Sequence, residues 1–417
     1  VGSEMCIRDS LDYKKIENIG TPFFLFEEHP LMQELEALQN AFSIYWKHYK
    51  IGYSVKTNSF PPLAVYLLKQ KISAEVVSED EYQLVSNIGF TSEQIICNGP
   101  IKSKSWVNEL LQKNILLNID SHPELNYIQE FAKNNPHSNI SVGIRVNLDI
   151  EKYFPNESNA GEGGSRFGFC EETGELLSAI KQLKEYSNIS ISGLHLHVST
   201  KTRKTEIYRW LVQQFAQIIN KYHLESVKYL DIGGGFYGGI PNKPNWNDYI
   251  KEIASELKKQ GFTEDKIQLI VEPGVSLLAS CFSYYCKVID IKNTTYNQFI
   301  VLDGSRIHID PLMHKSSYFY EIINQPKLIS NSKINKSQQL VGFTCLENDR
   351  FFQTTSPIDL AEGDYIRFNK VGAYTLTLSP LFISYFPAVY TVNSINGEIE
   401  CLRSKWGTTE FLQLSKI

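Results

Sequence analysis

The stretch KIGYSVKTNSFPP, Lys50 to Pro62, is an alternating apolar run that ends on a lysine and stops at two prolines. Residues Lys50–Val55 have the period of a half-buried β-strand. Pro61 and Pro62 suit the first turn of a helix, where a missing N–H costs little. A lysine at the exit of a buried strand is costly unless it is paired, neutralised or used chemically. Lys56 is therefore both the hinge of a strand–helix unit and the first candidate for chemistry.

The same unit recurs along the chain. Strands are expected at Lys50–Val55, Ile72–Val77, Gln94–Cys97, Ile115–Ile119, Ile140–Val146, Ile189–His195, Val227–Ile232 and Gln268–Val271. Helices are expected at Pro62–Lys69, Glu79–Asn87, Trp106–Gln112, Pro123–Lys133, Glu171–Tyr186, Glu206–Tyr222 and Tyr249–Lys259. Eight such strands close a parallel barrel, although an open doubly wound sheet would alternate in the same way. After about Tyr284 the texture changes: Phe299–Leu302, Leu340–Thr344, Tyr365–Phe368 and Ala388–Val392 are strand-like and separated by turns without helices. The expected fold class is α/β, a (β/α)8 TIM-like barrel followed by a mostly β C-terminal domain. Residues Pro22–Phe26 precede the barrel and could pair into that second domain. The expected boundaries are then 30–283 for the barrel and 11–29 with 284–417 for the β-rich domain.

Composition narrows the function. With 417 residues, 42% hydrophobic, 21% charged and a net charge of −5, the chain has no basic stripe for nucleic acid or an anionic membrane. The greasiest segment, Leu378–Val392, is interrupted by Pro380 and Pro387 and is too short to span a bilayer. Seven cysteines with no CxxC pair suit the reduced thiols of a cytoplasmic protein. The opening VGSEMCIRDS lacks the apolar core of a signal peptide and resembles translated adaptor sequence, so residues 1–10 are set aside as non-native.

Barrel enzymes carry their reactive groups at the C-terminal ends of the strands. Lys56 follows the first expected strand, Ser78 and Glu81 the second, and Asn98-Gly99-Pro100 the third. Arg145 ends the fifth, His195 and His197 the sixth, Gly233-Gly234-Gly235 follow the seventh, and Glu272 the eighth. Three glycines after an apolar strand suit either a tight turn or a loop that offers bare N–H groups to a phosphate. His195 and His197, two apart on a strand, would share one face; a packed core histidine, a metal ligand and a ring that stacks on a flat cofactor are all open. Glu272 suits a structural ion pair or a partner for a cationic group. A lysine, a glycine loop, an imidazole and a carboxylate together match the requirements of a pyridoxal phosphate site.

Taken in order, YSVKTN, EVVSEDE, GIRVN, SRFGF, GLHLHVST, LDIGGGF, VEPG, LDG, GFTCLEND and VGAYT resemble the barrel-type (fold type III) pyridoxal-phosphate decarboxylases. That group includes the diaminopimelate, ornithine and arginine decarboxylases, and the likeness runs from Thr21 to about Pro387. The resemblance implies an alanine racemase/ornithine decarboxylase-like fold and a homodimer with shared active sites acting on a small amino acid. It also implies pyridoxal 5'-phosphate held by Lys56 as an internal aldimine, with His197 on its ring and Glu272 at its pyridinium nitrogen. Gly233, Gly234, Gly235, Thr200 and Tyr374 would hold the phosphate with Gly274 close by, while Glu75 and Arg145 would lie beside the cofactor. Cys345 would return a proton to the α-carbon across the dimer interface. Arg166, Arg306, Leu346 and Glu347 would face the substrate. No metal is expected.

Three departures concern substrate recognition. The acidic residue that follows the family's cysteine is Leu346, with Glu347 one place later, and the arginine of its EPGR phrase is Val275. The HxGS phrase reads His197-Val198-Ser199-Thr200, followed by a basic loop, Lys201, Arg203 and Lys204, that suggests a carboxylate-bearing or carrier-bound substrate. These point away from diaminopimelate and toward a variant decarboxylase of polyamine or specialised metabolism. The alternatives are an amino acid racemase or epimerase on the same fold, which the acid at Glu272 disfavours, and a catalytically silent paralogue acting as a regulator.

Overall fold

A computed structural model describes residues 11–323, 337–354, 358–393 and 396–415, so the opening ten residues lie outside it. Two compact units result. One is Glu34–Leu277; the other combines the described residues of Val1–Gln33 with those of Leu278–Ile417.

The first unit is a closed barrel. Its strands are Tyr49–Ser54, Ser73–Val76, Ile95–Cys97, Leu116–Ile119, Ile140–Asn147, Ile189–His195, Tyr229–Asp231 and Gln268–Val271, numbered one to eight below. Each pairs in parallel with the next, and strand eight returns to strand one through Leu269↔Tyr49, Ile270↔Lys50 and Val271↔Ile51. This closure excludes the open sheet. A two-residue strand, Phe169–Cys170, adds to the end of strand five.

Short strands of aliphatic residues suit a sheet covered on both faces, and Ile96, Tyr229 and Ile270 pack together inside the barrel. Tyr229 spans the interior because its neighbours are bare. A Cβ at Gly143 or Gly193 would collide with its ring or hydroxyl. Helix starts follow local chemistry. Pro61 opens Pro61–Lys69, and Ser78 caps Glu79–Ile88 by accepting from Glu81 N–H at 3.2 Å. Caps also shift the expected boundaries. Ser103 starts its helix at Lys104, Asn245 starts the last at Trp246, and Gly174, at φ +84°, delays the helix expected from Glu171 until Glu175.

The second unit is built on the twelve-residue strand Phe282–Asn293. Its first part pairs antiparallel with Phe23–Phe26 and Tyr365–Asn369, and its second part with Asn297–Leu302. Phe23–Phe26 also lies parallel to Ala388–Val392, so the strand before the barrel sits between two that follow it. Leu11, Ile16, Phe23, Leu25, Tyr285, Tyr365 and Ala388 form its core. No helix among the described residues is long and apolar enough to cross a membrane.

One ion pair at the barrel mouth is wholly enclosed. Lys102 Nζ donates to Glu124 Oε2 at 2.9 Å, with both side chains at 0% exposure, and also to the carbonyls of Gly99 and Asn118. It ties the loop after strand three to the helix after strand four. Removing one member leaves the other charge buried and unpaired, at a cost of about 3–5 kcal/mol. Lys102→Met should therefore lower stability by about that amount in urea unfolding, and Lys102→Met/Glu124→Gln should recover part of it. A single variant as stable as the wild type would show that the pair does not hold the mouth together.

Candidate active site

Strand one ends at Ser54, and a short helical turn, Val55–Thr57, carries Lys56 over the barrel mouth. Lys56 Nζ donates to Glu75 Oε2 at 2.5 Å and to Ser54 Oγ at 2.9 Å. Its side chain keeps 39% exposure while that of Glu75 has 1%, so the amine is accessible and its counter-ion is not. Ser54 Oγ–H donates to Glu75 at 2.6 Å. Asn98, after strand three, then bridges two acids: its Nδ2 donates to Glu75 Oε1 at 3.1 Å and to Glu272 Oε1 at 2.6 Å. Asn118 donates to Asn98 Oδ1 at 2.9 Å and, at 3.4 Å, to Asp231 Oδ2, and it accepts from the Tyr229 hydroxyl at 2.8 Å. Asp231 and Glu272 also approach each other directly, with atoms of both and of His195 within 4.8 Å of one another. The chain of contacts thus links the ends of strands one, two, three, four, seven and eight.

Burial and charge decide the protonation states. Desolvation alone would raise Glu75, but the Lys56 charge and the hydrogen bonds from Lys56, Ser54 and Asn98 outweigh it and hold Glu75 below the usual carboxylate range. Burial, with Asp231 and Glu75 close by, pushes Glu272 well above that range, and burial raises Asp231 to about 7. His195 and His197 go the other way: burial, then the Arg145 charge, hold both neutral, His197 down at about 3.

The histidines do not share a strand face. Strand six ends at His195, and His197 lies in the loop beyond it. His195 Nε2 is 3.6 Å from Glu272, and neither of its ring nitrogens has a hydrogen-bond partner among the described residues. His197 Nδ1 instead accepts from Gly234 N–H at 3.3 Å. The glycine loop is correspondingly less bare than expected, since Gly233 N–H donates to Asp231 Oδ1 at 3.0 Å. Gly233, at φ +68°, passes so close to His197 that a Cβ would sit 2.6 Å from the imidazole. Gly274 packs on Thr57 and Ser54 with the same lack of room, which brings it beside the Lys56 turn.

Strand five runs two residues past Arg145, to Asn147. Arg145 donates to Asp120 Oδ2 at 2.8 Å and stacks over Phe167 at 4.7 Å, and Arg166 covers the same ring at 4.3 Å. Asp120 Oδ1 also accepts from Gly168 N–H at 2.8 Å, which fastens the returning end of the 148–168 excursion to strand four. A cavity of ≈570 Å³ lies under this excursion, with Arg145, His197, Asn147, Ser158 and Ser199 among its walls. Thr200 is buried and bridges to Ser158. The basic loop is largely engaged with its own chain. Lys204 pairs with Glu157 at 3.5 Å, Thr202 donates to the same carboxylate, and Arg203 donates to the Phe236 carbonyl. Two of its three cations therefore have internal partners.

The remaining expected residues belong to the β-rich unit. Cys345 is exposed at the tip of a loop that Asp349 organises by accepting from Ser305, Arg306 N–H and Thr344. Leu346 is half-buried there. The Glu347 carboxylate, 96% exposed, pairs with Arg350 at 3.2 Å. Arg306 is partnered within its own unit. Its guanidinium is spent on Asp310 and on the carbonyls of Arg350 and Lys315. Tyr374 is partly exposed and sits at φ +56°.

Asp231, Asn118 and Asp120 were not anticipated. Their signal was a polar residue inside an apolar run, LDIG and LLNID. The set fits pyridoxal phosphate: a reachable amine, a glycine turn against an imidazole, and a buried acid that retains a proton.

Comparison with known proteins agrees with the geometry. The diaminopimelate decarboxylase of Staphylococcus aureus (strain COL) is 25% identical over 393 residues, covering 89% of this chain and 88% of that protein. That of Aquifex aeolicus (strain VF5) is 24% identical, covering 93% and 90%. The fold matches diaminopimelate decarboxylase from Helicobacter pylori complexed with L-lysine, with TM-score 0.80, 22% identity and coverage of 97% and 99%. It also matches the arginine decarboxylase of Paramecium bursaria Chlorella virus, with TM-score 0.74, 20% identity and coverage of 91% and 100%. Residues 30–279 match the pyridoxal binding domain of the pyridoxal-dependent decarboxylases, and the chain, with its lysine, glycine turn and buried acid in one barrel mouth, belongs to that family of pyridoxal-phosphate-dependent carboxy-lyases.

Proposed function

We propose that this protein decarboxylates an amino acid or amino acid derivative other than diaminopimelate. The observation that carries the reading is the unbroken chain Lys56–Glu75–Asn98–Glu272 in the barrel mouth. Pyridoxal phosphate, when bound, supplies an electron sink for the pair of electrons left on the α-carbon as carbon dioxide departs. Lys56 Nζ is the covalent attachment point, held by Glu75 and Ser54 at the end of its reach. The Glu272 carboxylate faces the ring nitrogen and keeps it protonated, which favours decarboxylation over racemisation. His197, neutral in its buried setting, offers a flat uncharged face to the ring. Gly233, Gly234, Gly235, Gly274, Thr200 and Tyr374 take the phosphate. The Cys345 thiol returns a proton to the α-carbon, reaching a neighbouring subunit of a cytoplasmic homodimer.

Substrate choice differs because the acid expected after the cysteine is Leu346, while Glu347 is occupied by Arg350 and Arg306 by Asp310. The leucine leaves the distal ammonium of a diaminopimelate-like substrate without the acid expected there, which suits polyamine or specialised-metabolite chemistry.

Purified protein given pyridoxal phosphate should show the visible absorbance of a lysine-bound cofactor, and Lys56→Ala should lose it. A colourless wild type would end the enzyme reading. A carbon dioxide release screen over basic, acidic and diamino acids should find a substrate that outperforms diaminopimelate. Inverted chirality without gas would select the racemase instead. Cys345→Ala should slow turnover by about 100-fold or more, the usual scale for a general acid, or misdirect the proton; unchanged rate and product would remove Cys345 from the mechanism.

A further inference from the structure

Glu272 does not act alone. Asp231, 0% exposed at the end of strand seven, lies beside it, and oxygen or nitrogen atoms of His195, Asp231 and Glu272 lie within 4.8 Å of one another in a buried cluster. Two buried carboxylates this close repel when both are ionised and are then acceptors only, so a hydrogen bond between them requires a proton. Burial and the neighbouring acids favour keeping it, while Lys56 and the Gly233 N–H work in the opposite direction. From strand two Glu75 adds a third negative charge, neutralised by Lys56. The cations of strand five and of the loop after strand three, Arg145 and Lys102, are held by Asp120 and Glu124. His195 is neutral, and Asn98, Asn118, Tyr229 and Gly233 N–H contribute hydrogen bonds but no charge.

We propose that Asp231 is a positioning residue that shares one proton with Glu272 in the cofactor-free protein, and that the pair surrenders this proton to the ring nitrogen as the cofactor enters. The inference rests on the reading that Glu272 faces that nitrogen. The proton leaves the O–H of the pair and becomes the N–H of the ring, leaving both carboxylates ionised and Glu272 as its acceptor. Asn98 then holds the Glu272 carboxylate, while Asn118 and the Gly233 N–H hold that of Asp231 beside it. Nothing is oxidised or reduced.

The test is infrared spectroscopy of the full chain with and without pyridoxal phosphate, read beside visible absorbance. Cofactor-free wild type should show the C=O stretch of a buried carboxylic acid, sensitive to deuterium exchange. Asp231→Asn should abolish it, because an amide can donate to Glu272 directly, and Glu272→Gln should abolish it by the reciprocal bond. Adding pyridoxal phosphate to the wild type should remove the band as the cofactor colour develops. The thermal midpoint gives a second reading. A raised carboxyl pKa stabilises the fold at low pH and loses that contribution as pH rises toward about 7; the cofactor-free wild type should lose stability over that range and Asp231→Asn should lose less. Absence of the band in cofactor-free wild type would overturn the proton-sharing pair. A band that persists after the colour develops would overturn the hand-over while leaving the decarboxylase reading intact. Failure to take up cofactor would instead sink that reading and the hand-over with it.

Discussion

A single accessible ammonium, Lys56 Nζ, stands at one end of a row of buried carboxylates, and the barrel mouth is arranged around that imbalance. Lys102 and Arg145 are cations nearby, but Glu124 and Asp120 already engage them. Glu75 is ionised because Lys56 faces it, and Glu272 keeps a proton because burial, with Asp231 and Glu75 beside it, outweighs the more distant Lys56 charge. Two acids of the same kind, bridged by one asparagine, are thus driven to opposite protonation states by position alone. A nucleophilic amine and an acid with a transferable proton follow from one charge deficit.

Structural side chains make this arrangement rigid. Asn98 and Asn118 fill the space between acids with donors and acceptors that match, and Tyr229 fills the axis beneath them. On the rim, Asp120 fastens the 148–168 excursion, and Glu157 draws the loop after strand six toward it through Thr202 and Lys204. The cavity under the excursion therefore has walls set by carboxylates that touch backbone and neighbouring side chains.

Much of this was legible in the residues. Lys56, Glu272 and the three glycines stood out because a polar or flexible residue at the end of an apolar strand breaks a local pattern, and strand ends are where a barrel places its chemistry. Asp231 and Asn118 were passed over because they lie within such runs; their importance comes from neighbours across the sheet, which periodicity along one strand does not encode. His197 illustrates the limit of period-two reasoning. Its strand ends two residues earlier, at His195, so the shared face does not exist. The basic loop poses a related problem. Its charges were visible, but Glu157, which answers Lys204, lies more than forty residues earlier in the chain.

The placement of Phe23–Phe26 has a consequence for how the protein is made. That strand lies between Phe282–Asn293 and Ala388–Val392, and Thr391 Oγ1 donates to the Phe26 carbonyl across 365 positions of sequence. The barrel strands, in contrast, are continuous within Glu34–Leu277. During synthesis the barrel can close while its last partner is still near the ribosome, but an apolar strand made at the start must wait for one of the last segments to emerge. Four consecutive aromatic and aliphatic residues, FFLF, stay unpaired until Phe282–Asn293 emerges, and one of their edges stays open until Ala388–Val392 does. The β-rich unit is therefore the later and more aggregation-prone half of the molecule as it forms, and truncating the chain before Ala388 would expose this strand permanently along one edge.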